Sequence, residues 1–151
     1  MRWLLVDQIV ECTAGVSGIG VKAFSRSDLF FMDHFPGFPI VPGAMQIEMM
    51  AQMGGKIIAL HKVNILPVLG HVKSAKFYRN IGPGELCFIH IQVEKIAKTW
   101  ATVTGEVRVR DLKVSSAHIL FGLIDRSLLA SNDFDLVTQD WVKKKSQEPS
   151  P

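Results

Sequence analysis

The feature that most constrains the fold is a long helix whose apolar side chains point in every direction. Pro42 and Gly43 open it, and the pattern predicts that it runs to about His61. A helix with apolar residues all round is buried on every side rather than lying on a surface. Other elements must therefore surround it. Its apolar side chains are Ala44, Met45, Ile47, Met49, Met50, Met53, Ile57 and Ile58.

Alternation of apolar and polar residues fills most of the chain from residue 85 onward and is typical of strands with one buried face. It predicts an antiparallel meander. A turn is expected at Asp111-Leu112, although leucine suits a tight hairpin poorly because such turns require φ > 0. A sheet of five to seven antiparallel strands curled around the helix would bury both, which predicts an α+β fold. The predicted strands cover about 2–12, 18–24, 65–76, 86–95, 101–110 and 114–124.

The composition is that of a folded protein with a single core. The chain has 151 residues, of which 48% are hydrophobic and 21% charged, so it is too short for a two-domain cofactor enzyme. The net charge of +3 comes mostly from residues 143–151, and the body carries no basic stripe for nucleic acid. Cys12 and Cys87 are the only cysteines, which excludes a disulfide framework and a zinc-type cysteine pair.

The start of the chain lacks the basic and apolar regions of a signal peptide, so we expect a reduced, cytoplasmic protein. The most apolar stretch, 35–60, is interrupted by prolines and by Glu48, Gln52 and Lys56, which argues against a membrane-spanning segment.

The domain organisation is expected to be simple. One domain covers 1–126, a short C-terminal helical extension covers 127–142, and 143–151 forms a flexible, solvated tail. Asn132 or Asp133 is expected to cap the helix of the extension, which would end near Trp141.

Glu48 is anomalous because it is a carboxylate inside the apolar helix. Such a group finds a partner, takes up a proton, or lies on the one wet edge of the helix. It shares a stripe with the smallest residues of the helix, which leaves room either for a slender ligand or for close packing of a strand or a second helix. The sequence leaves both open. The stripe consists of Ala44, Glu48, Ala51, Gln52 and Gly55.

The segment 33–43, named here the His34 loop, is rich in proline and aromatic residues and indicates a rigid connection into the helix. His34 is the natural general base because its ordinary pKa is near neutrality, although a lone loop histidine is more often structural. Gly43 lies at the helix start, where an unpaired backbone N–H suits a developing oxyanion. We interpret His61, His71, His90 and His118 as structural.

The string from His34 to Gln52, HFPGFPIVPGAMQIEMMAQ, resembles the signature of the (3R)-hydroxyacyl-ACP dehydratases of the FabZ family, which have the hot-dog fold. The resemblance extends to WLLVD at 3–7 with Glu11, to AKFYR at 75–79 and to PGE at 83–85. It therefore covers most of residues 3–125. Glutamate rather than aspartate at position 48 favours this family over its FabA relatives.

The resemblance implies a lyase that needs neither a metal nor an organic cofactor. His34 would be the base, Glu48 the acid and Gly43 the oxyanion donor. The family usually has glycine before the histidine, whereas this chain has Asp33, which puts the rate and the pH optimum in question. The other residues expected to contact substrate are Gln52, Ala44, Phe35 and Ala51.

The resemblance also implies partners. The substrate would arrive on acyl carrier protein, with Lys73, Lys76 and Arg79 as a docking site, although three basic residues on a strand are more often a plain solvated face. The working unit would be a homodimer, alone or as a trimer of dimers. Each site would combine His34 of one chain with Glu48 of the other.

Two other functions compete with dehydration. A hot-dog thioesterase would hydrolyse the same class of thioester, with a carboxylate or a water as nucleophile or base. A non-catalytic acyl-binding or assembly module would bind acyl groups without turnover. Acyl chain length and pathway are left open by the sequence.

Overall fold

The structure is a computed structural model that describes residues 3–128 and 135–147. No helix in these ranges is long and apolar enough to cross a membrane; the cytoplasmic location stays a prediction. The strands are β1 (Gln8–Thr13), β2 (Ser17–Ala23), β3 (Ile65–Phe77), β4 (Leu86–Ile96), β5 (Trp100–Val109) and β6 (Leu112–Asp125). The helices are α1 (Phe30–Asp33), α2 (Gly43–His61) and α3 (Leu136–Gln147), with a 3₁₀ turn at Arg126–Leu128.

The six strands of the described residues form one antiparallel sheet in the order β1-β2-β4-β5-β6-β3. The consecutive strands β4, β5 and β6 pair as the predicted meander. Helix α2 contacts β2, β3, β4, β5 and β6, so the sheet curves around the helix and covers one side of it. This confirms the α+β fold with a sheet around a long helix.

The core lies between α2 and the sheet. Met50 and Met53 are fully buried, and glycines on the strands make room for them. A Cβ at Gly105 would lie 2.9 Å from the Met50 sulfur, and one at Gly20 would lie 2.8 Å from the Met53 sulfur. Burial of each such side chain contributes about 1.5–3 kcal/mol to stability. Any larger residue at Gly20 or Gly105 would push the methionine out of place, so glycine at these two positions is needed for the packing.

The expectation that α2 is buried on every side is wrong for the single chain. Ala44 is exposed, and Glu48, Gln52 and Gly55 are only half-buried. The helix is apolar all round in sequence, yet these small and polar residues lie on a face of the helix that the chain leaves partly open. That face is free to meet a ligand or a partner.

The hairpin between β5 and β6 turns one residue earlier than the sequence predicted. Arg110 and Asp111 have φ of +49° and +63°, whereas Leu112 already pairs with Val109 as the first residue of β6. Positive φ at both central residues is the two-residue turn that matches the twist of a hairpin. Leu112 therefore does not adopt the turn conformation.

The N-terminal strand is shorter than predicted, because β1 begins at Gln8 rather than near residue 2. The C-terminal helix is longer: α3 continues to Gln147, so residues 143–147 are helical rather than part of the predicted tail. Asp135 caps it, accepting hydrogen bonds from the backbone N–H groups of Val137 and Thr138 at 3.1 and 3.3 Å. The predicted caps Asn132 and Asp133 lie outside the described residues.

Candidate active site

The His34 loop is held by backbone hydrogen bonds at close spacing. The N–H of Phe35 donates to the carbonyl of Phe38 at 3.0 Å, and that of Phe38 donates back to Phe35 at 2.9 Å. The N–H of Ile40 donates to the carbonyl of His34 at 2.9 Å, and the His34–Phe35 peptide bond is cis. Gly37 supports the tight turn with φ of +78°. The loop is thus closed on itself around the histidine.

The His34 side chain is half-buried and stacks on Phe35, with 4.2 Å between ring centroids. It makes no hydrogen bond with the residues that the structure describes. The surroundings are apolar yet uncovered, since four large side chains near it in sequence are each at least half exposed. These side chains are Leu29, Met32, Phe35 and Phe38.

Gly43 is the first residue of α2, so its backbone N–H has no acceptor within the helix. The segment before it is anchored by the N–H of Val41, which donates to the carbonyl of Ile81 at 2.8 Å. A Cβ at position 43 would lie 3.0 Å from the Phe77 ring. Glycine therefore permits a close approach of this backbone to β3, and its N–H suits an oxyanion.

Glu48 and Gln52 are brought together one turn apart on α2. The Gln52 amide Nε2 donates to Glu48 Oε1 at 3.0 Å and to the carbonyl of Trp3 at 2.9 Å. The N–H of Leu5 donates to Gln52 Oε1 at 2.9 Å. Gln52 thus connects the N-terminal segment to the candidate acid, and it fixes one of the two carboxyl oxygens of Glu48.

A cavity of about 240 Å³, named here the α2 cavity, follows the half-buried face of the helix from Glu48 to Ala59. Ala51 and Gly55 form its helix side together with Gln52, while β3 and β6 form the opposite side. His34 is not among its lining residues, and Ala44 is not either. One chain therefore places the candidate acid in a cavity and leaves the candidate base outside it.

The far end of the α2 cavity is charged. Lys56, only 7% exposed, forms an ion pair with Asp135 at 3.0 Å. Burial alone would raise the pKa of Asp135, but Lys56 and the hydrogen bonds of Thr138 hold that pKa below its usual value. Arg126, also buried, donates to the carbonyl of Ile65 at 3.1 Å.

Sequence reasoning missed this charged end. Lys56 is as anomalous in the apolar helix as Glu48, and that was the available signal. Its partner Asp135 is 79 positions away and enters from the C-terminal extension. Spacing along the chain gives no hint of such a pair.

The candidate docking residues lie on β3 and just after it. Lys73 and Lys76 are exposed. Arg79 is exposed too, but it forms an ion pair with Glu85 at 2.9 Å. The three cations are present on one edge of the sheet, and their role as a docking site stays a prediction.

The two cysteines offer no activated nucleophile. Cys87 is buried, and burial together with the charge of Glu85 raises its thiol pKa to about 12. Burial raises the pKa of the half-buried Cys12 as well. A thiolate would therefore be scarce near neutral pH at either position.

Known proteins similar to this chain bear on both fold and activity. The ApeI-like family, described as ApeI dehydratase, matches residues 19–115. A 3-hydroxyacyl-[acyl-carrier-protein] dehydratase FabZ from Clostridium acetobutylicum is 40% identical over 129 residues, which cover 80% of this chain and 87% of the relative.

Solved structures share the fold at low sequence identity. The dehydratase heterocomplex ApeI:P from Xenorhabdus doucetiae matches with a TM-score of 0.61 at 19% identity, over 76% of this chain and 96% of that chain. A hypothetical thioesterase with coenzyme A from Streptococcus pneumoniae TIGR4 matches with a TM-score of 0.65 at 10% identity, over 78% and 85%. These likenesses concern the fold alone.

The family match spans more than half of the chain, and the FabZ relative is similar over most of both chains. The hot-dog fold and the dehydratase predicted from the string between His34 and Gln52 are therefore confirmed, while the roles of individual residues stay predictions. The chain belongs to the ApeI-like family of dehydratases and is a relative of the FabZ enzymes.

Proposed function

We propose that this chain removes water from (3R)-3-hydroxyacyl groups carried as thioesters on acyl carrier protein and gives the trans-2-enoyl product. The observation that carries the proposal is Glu48, held by Gln52 at one end of a cavity suited to an acyl chain. The FabZ relatives, named for this reaction, support it. The reaction belongs to the synthesis of fatty acids or of related lipids or polyketides.

The elimination divides between three groups. His34 takes the proton from C2, and the Gly43 N–H donates to the thioester oxygen as negative charge develops there. Glu48 gives its proton to the hydroxyl on C3, the C3–O bond breaks, and water leaves as the C2–C3 double bond forms. Positioned acid–base groups each contribute about 10²–10⁴-fold in rate.

We expect the site to combine two copies of the chain, because His34 is not among the residues that line the α2 cavity together with Glu48. Three features favour a homodimer. Strand β3 is 13 residues long and lies at the end of the strand order, the His34 loop exposes apolar side chains, and the Glu48 face of α2 is half-buried. A trimer of dimers differs from a dimer in its mass in solution, which light scattering measures.

The proposed docking site for the carrier consists of Lys73, Lys76 and Arg79. Exposed charges steer association more than they add affinity. Charge reversal at all three positions should raise KM for the carrier-bound substrate and spare a small thioester mimic. An equal effect on both substrates would reject the docking site.

The reaction product separates dehydration from the two competing functions. A dehydratase converts a 3-hydroxyacyl thioester to a conjugated enoyl thioester that has lost one water, whereas a thioesterase releases a free thiol. A binding module gives neither. Mass spectrometry and thiol detection on the same sample distinguish all three outcomes.

Two substitutions test the assigned roles. His34→Ala and Glu48→Gln should each lower kcat by about 10²-fold or more, because each removes a proton-transfer group. His90→Ala and Glu11→Gln, which both lie in a different cavity, serve as matched controls and should leave kcat unchanged. Near-native turnover by Glu48→Gln would contradict the acid role.

A further inference from the structure

The α2 cavity has two chemically different ends. Glu48 and Gln52 form the end where the proposed chemistry takes place. Lys56, Arg126 and Asp135 form the other end, which contains buried charge and lies deeper along the helix. The walls between them are small or apolar, so an acyl chain that enters at Glu48 advances toward the ion pair.

The distance between the two ends sets a length. Glu48 and Lys56 are eight residues apart on α2, which corresponds to about 12 Å at 1.5 Å per residue. A contact distance of about 4 Å to the Lys56 side chain must be subtracted from this length, which leaves about 8 Å for the acyl chain. An extended chain advances by about 1.2 Å per bond. About seven carbons therefore fit beyond C3. Together with C1 to C3, this length ends the acyl chain near ten carbons in total.

We propose that the ion pair between Lys56 and Asp135 forms the end of the acyl channel and limits the substrate to chains of about ten carbons. The proposal rests on the proposed function, since it places the thioester end at Glu48. It assigns the C-terminal extension a role in substrate selection, because the extension supplies Asp135.

An ion pair stops an apolar chain for a physical reason. Asp135 is 42% exposed and retains contact with water, although Lys56 is buried. A methyl end pressed against this carboxylate would remove water from a charge without offering a hydrogen bond in return, which is unfavourable. Longer chains would also have to displace the extension, which is anchored by Val137 and Thr138 in the interior.

Binding of unreactive probes tests the proposal without reference to catalysis. The probes are alkyl thioethers of pantetheine with chains of 6, 8, 10, 12 and 14 carbons, titrated calorimetrically into the full chain. Each buried methylene should lower Kd by about fourfold. We expect this gain to continue to about ten carbons and to end there.

Two variants move the end of the channel in opposite directions. In the double variant Lys56→Met with Asp135→Asn, the charges are removed while asparagine keeps the helix cap, and the 14-carbon probe should bind at least tenfold more tightly than to the wild type. Gly55→Leu should end the gain before eight carbons, because a Cβ there has only Pro67 near it at 3.9 Å and the larger side chain extends into the cavity. Lys113→Met removes a lysine paired with a carboxylate outside the cavity and should change nothing.

The outcomes are separable from those of the proposed function. A steady gain to 14 carbons in the wild type, a double-variant profile identical to that of the wild type, or no binding at any length would each overturn the length limit. If the double variant does not fold, the wild-type and Gly55→Leu profiles decide the question together: a gain that ends near ten carbons in the wild type and before eight in Gly55→Leu keeps the length limit, and a gain that continues in either overturns it. A length limit in binding without any dehydration would keep this inference and reject the proposed reaction, whereas equal dehydration of all lengths would do the reverse.

Discussion

At the scale of single residues, Gln52 has the most defined role because three hydrogen bonds determine which way its amide points. The Leu5 N–H occupies the oxygen, so the nitrogen must face Trp3 and Glu48. This orientation fixes one oxygen of Glu48, and among the described residues none donates to the other. We therefore expect Gln52 to act as a positioning residue for the proposed acid.

Gln52→Ala should lower kcat by about tenfold and change KM little, because Glu48 loses its fixed orientation while the cavity stays open. Steady-state kinetics on a small thioester substrate measure this. Gln92→Ala, which removes an amide that binds the carbonyl of Val16 in another cavity, is the control. A rise in KM with an unchanged kcat would contradict the positioning role.

At the scale of elements, α2 contains two adjacent glycines in different surroundings. A Cβ at Gly54 would lie 3.3 Å from the Phe121 ring and from Val103, whereas one at Gly55 would meet only Pro67 at 3.9 Å. Replacing glycine with alanine raises the helix propensity by the same amount at both positions, about 0.5–1 kcal/mol. The difference between the two alanine variants therefore reports packing.

Gly55→Ala should raise the free energy of unfolding by about 0.5–1 kcal/mol. Gly54→Ala should gain less or be destabilising, since the Phe121 ring must move. Urea denaturation of both variants measures the difference. A destabilising Gly55→Ala would show that a partner chain approaches the helix at this point more closely than the single chain indicates.

We expect the docking of α3 to depend on the charge of Asp135, which pairs with Lys56. Since its folded pKa is held below the usual value near 4, the ionised form stabilises the fold at neutral pH. This contribution is lost as the pH falls from about 4 through the lower folded pKa. Asp135→Asn keeps the cap and removes the titration.

The wild type should therefore be more stable than Asp135→Asn at pH 7, and the gap should narrow as the pH falls below about 4. Denaturation of both proteins at a series of pH values checks this. Because other carboxylates titrate in both proteins alike, only the difference between them is informative. A gap independent of pH would mean that the ion pair with Lys56 contributes nothing to docking.

The elements show which parts of the fold the sequence determines locally. Helix α2 begins at Gly43 as expected, because proline followed by a long apolar run has few other solutions. The meander follows from its period of two. The turn lies one residue earlier than predicted. Arginine rarely adopts positive φ, so Arg110 gave no sequence signal that it would form the turn.

Long-range contacts account for what the sequence did not reveal. Residues 3–7 resemble a strand, yet Leu5 and Trp3 bond to the Gln52 side chain. The ion pair between Lys56 and Asp135 joins α2 to the C-terminal extension, although 79 positions separate the two residues in the sequence. His34, Gly43 and Glu48 were identifiable as candidates, because unusual residue types in a short segment carry a local signal.

At the scale of the whole molecule, the proposed base and the proposed acid do not line one common cavity of the single chain. Glu48 lines the α2 cavity, whereas His34 does not, and the residues near His34 in sequence expose apolar side chains. A two-fold partner would cover such surfaces reciprocally, so each dimer would contain two mixed sites. The central claim is that His34 of one chain works with Glu48 of the other.

Complementation between two inactive variants tests this claim most directly. His34→Ala and Glu48→Ala are unfolded and refolded together at equal concentration, and mixed dimers are verified by native mass spectrometry. In a mixed dimer one site carries both substitutions and the other carries neither, so random pairing should restore about a quarter of the wild-type dehydration rate. If mixed dimers are present and no activity returns, His34 and Glu48 act within one chain and the shared site is wrong.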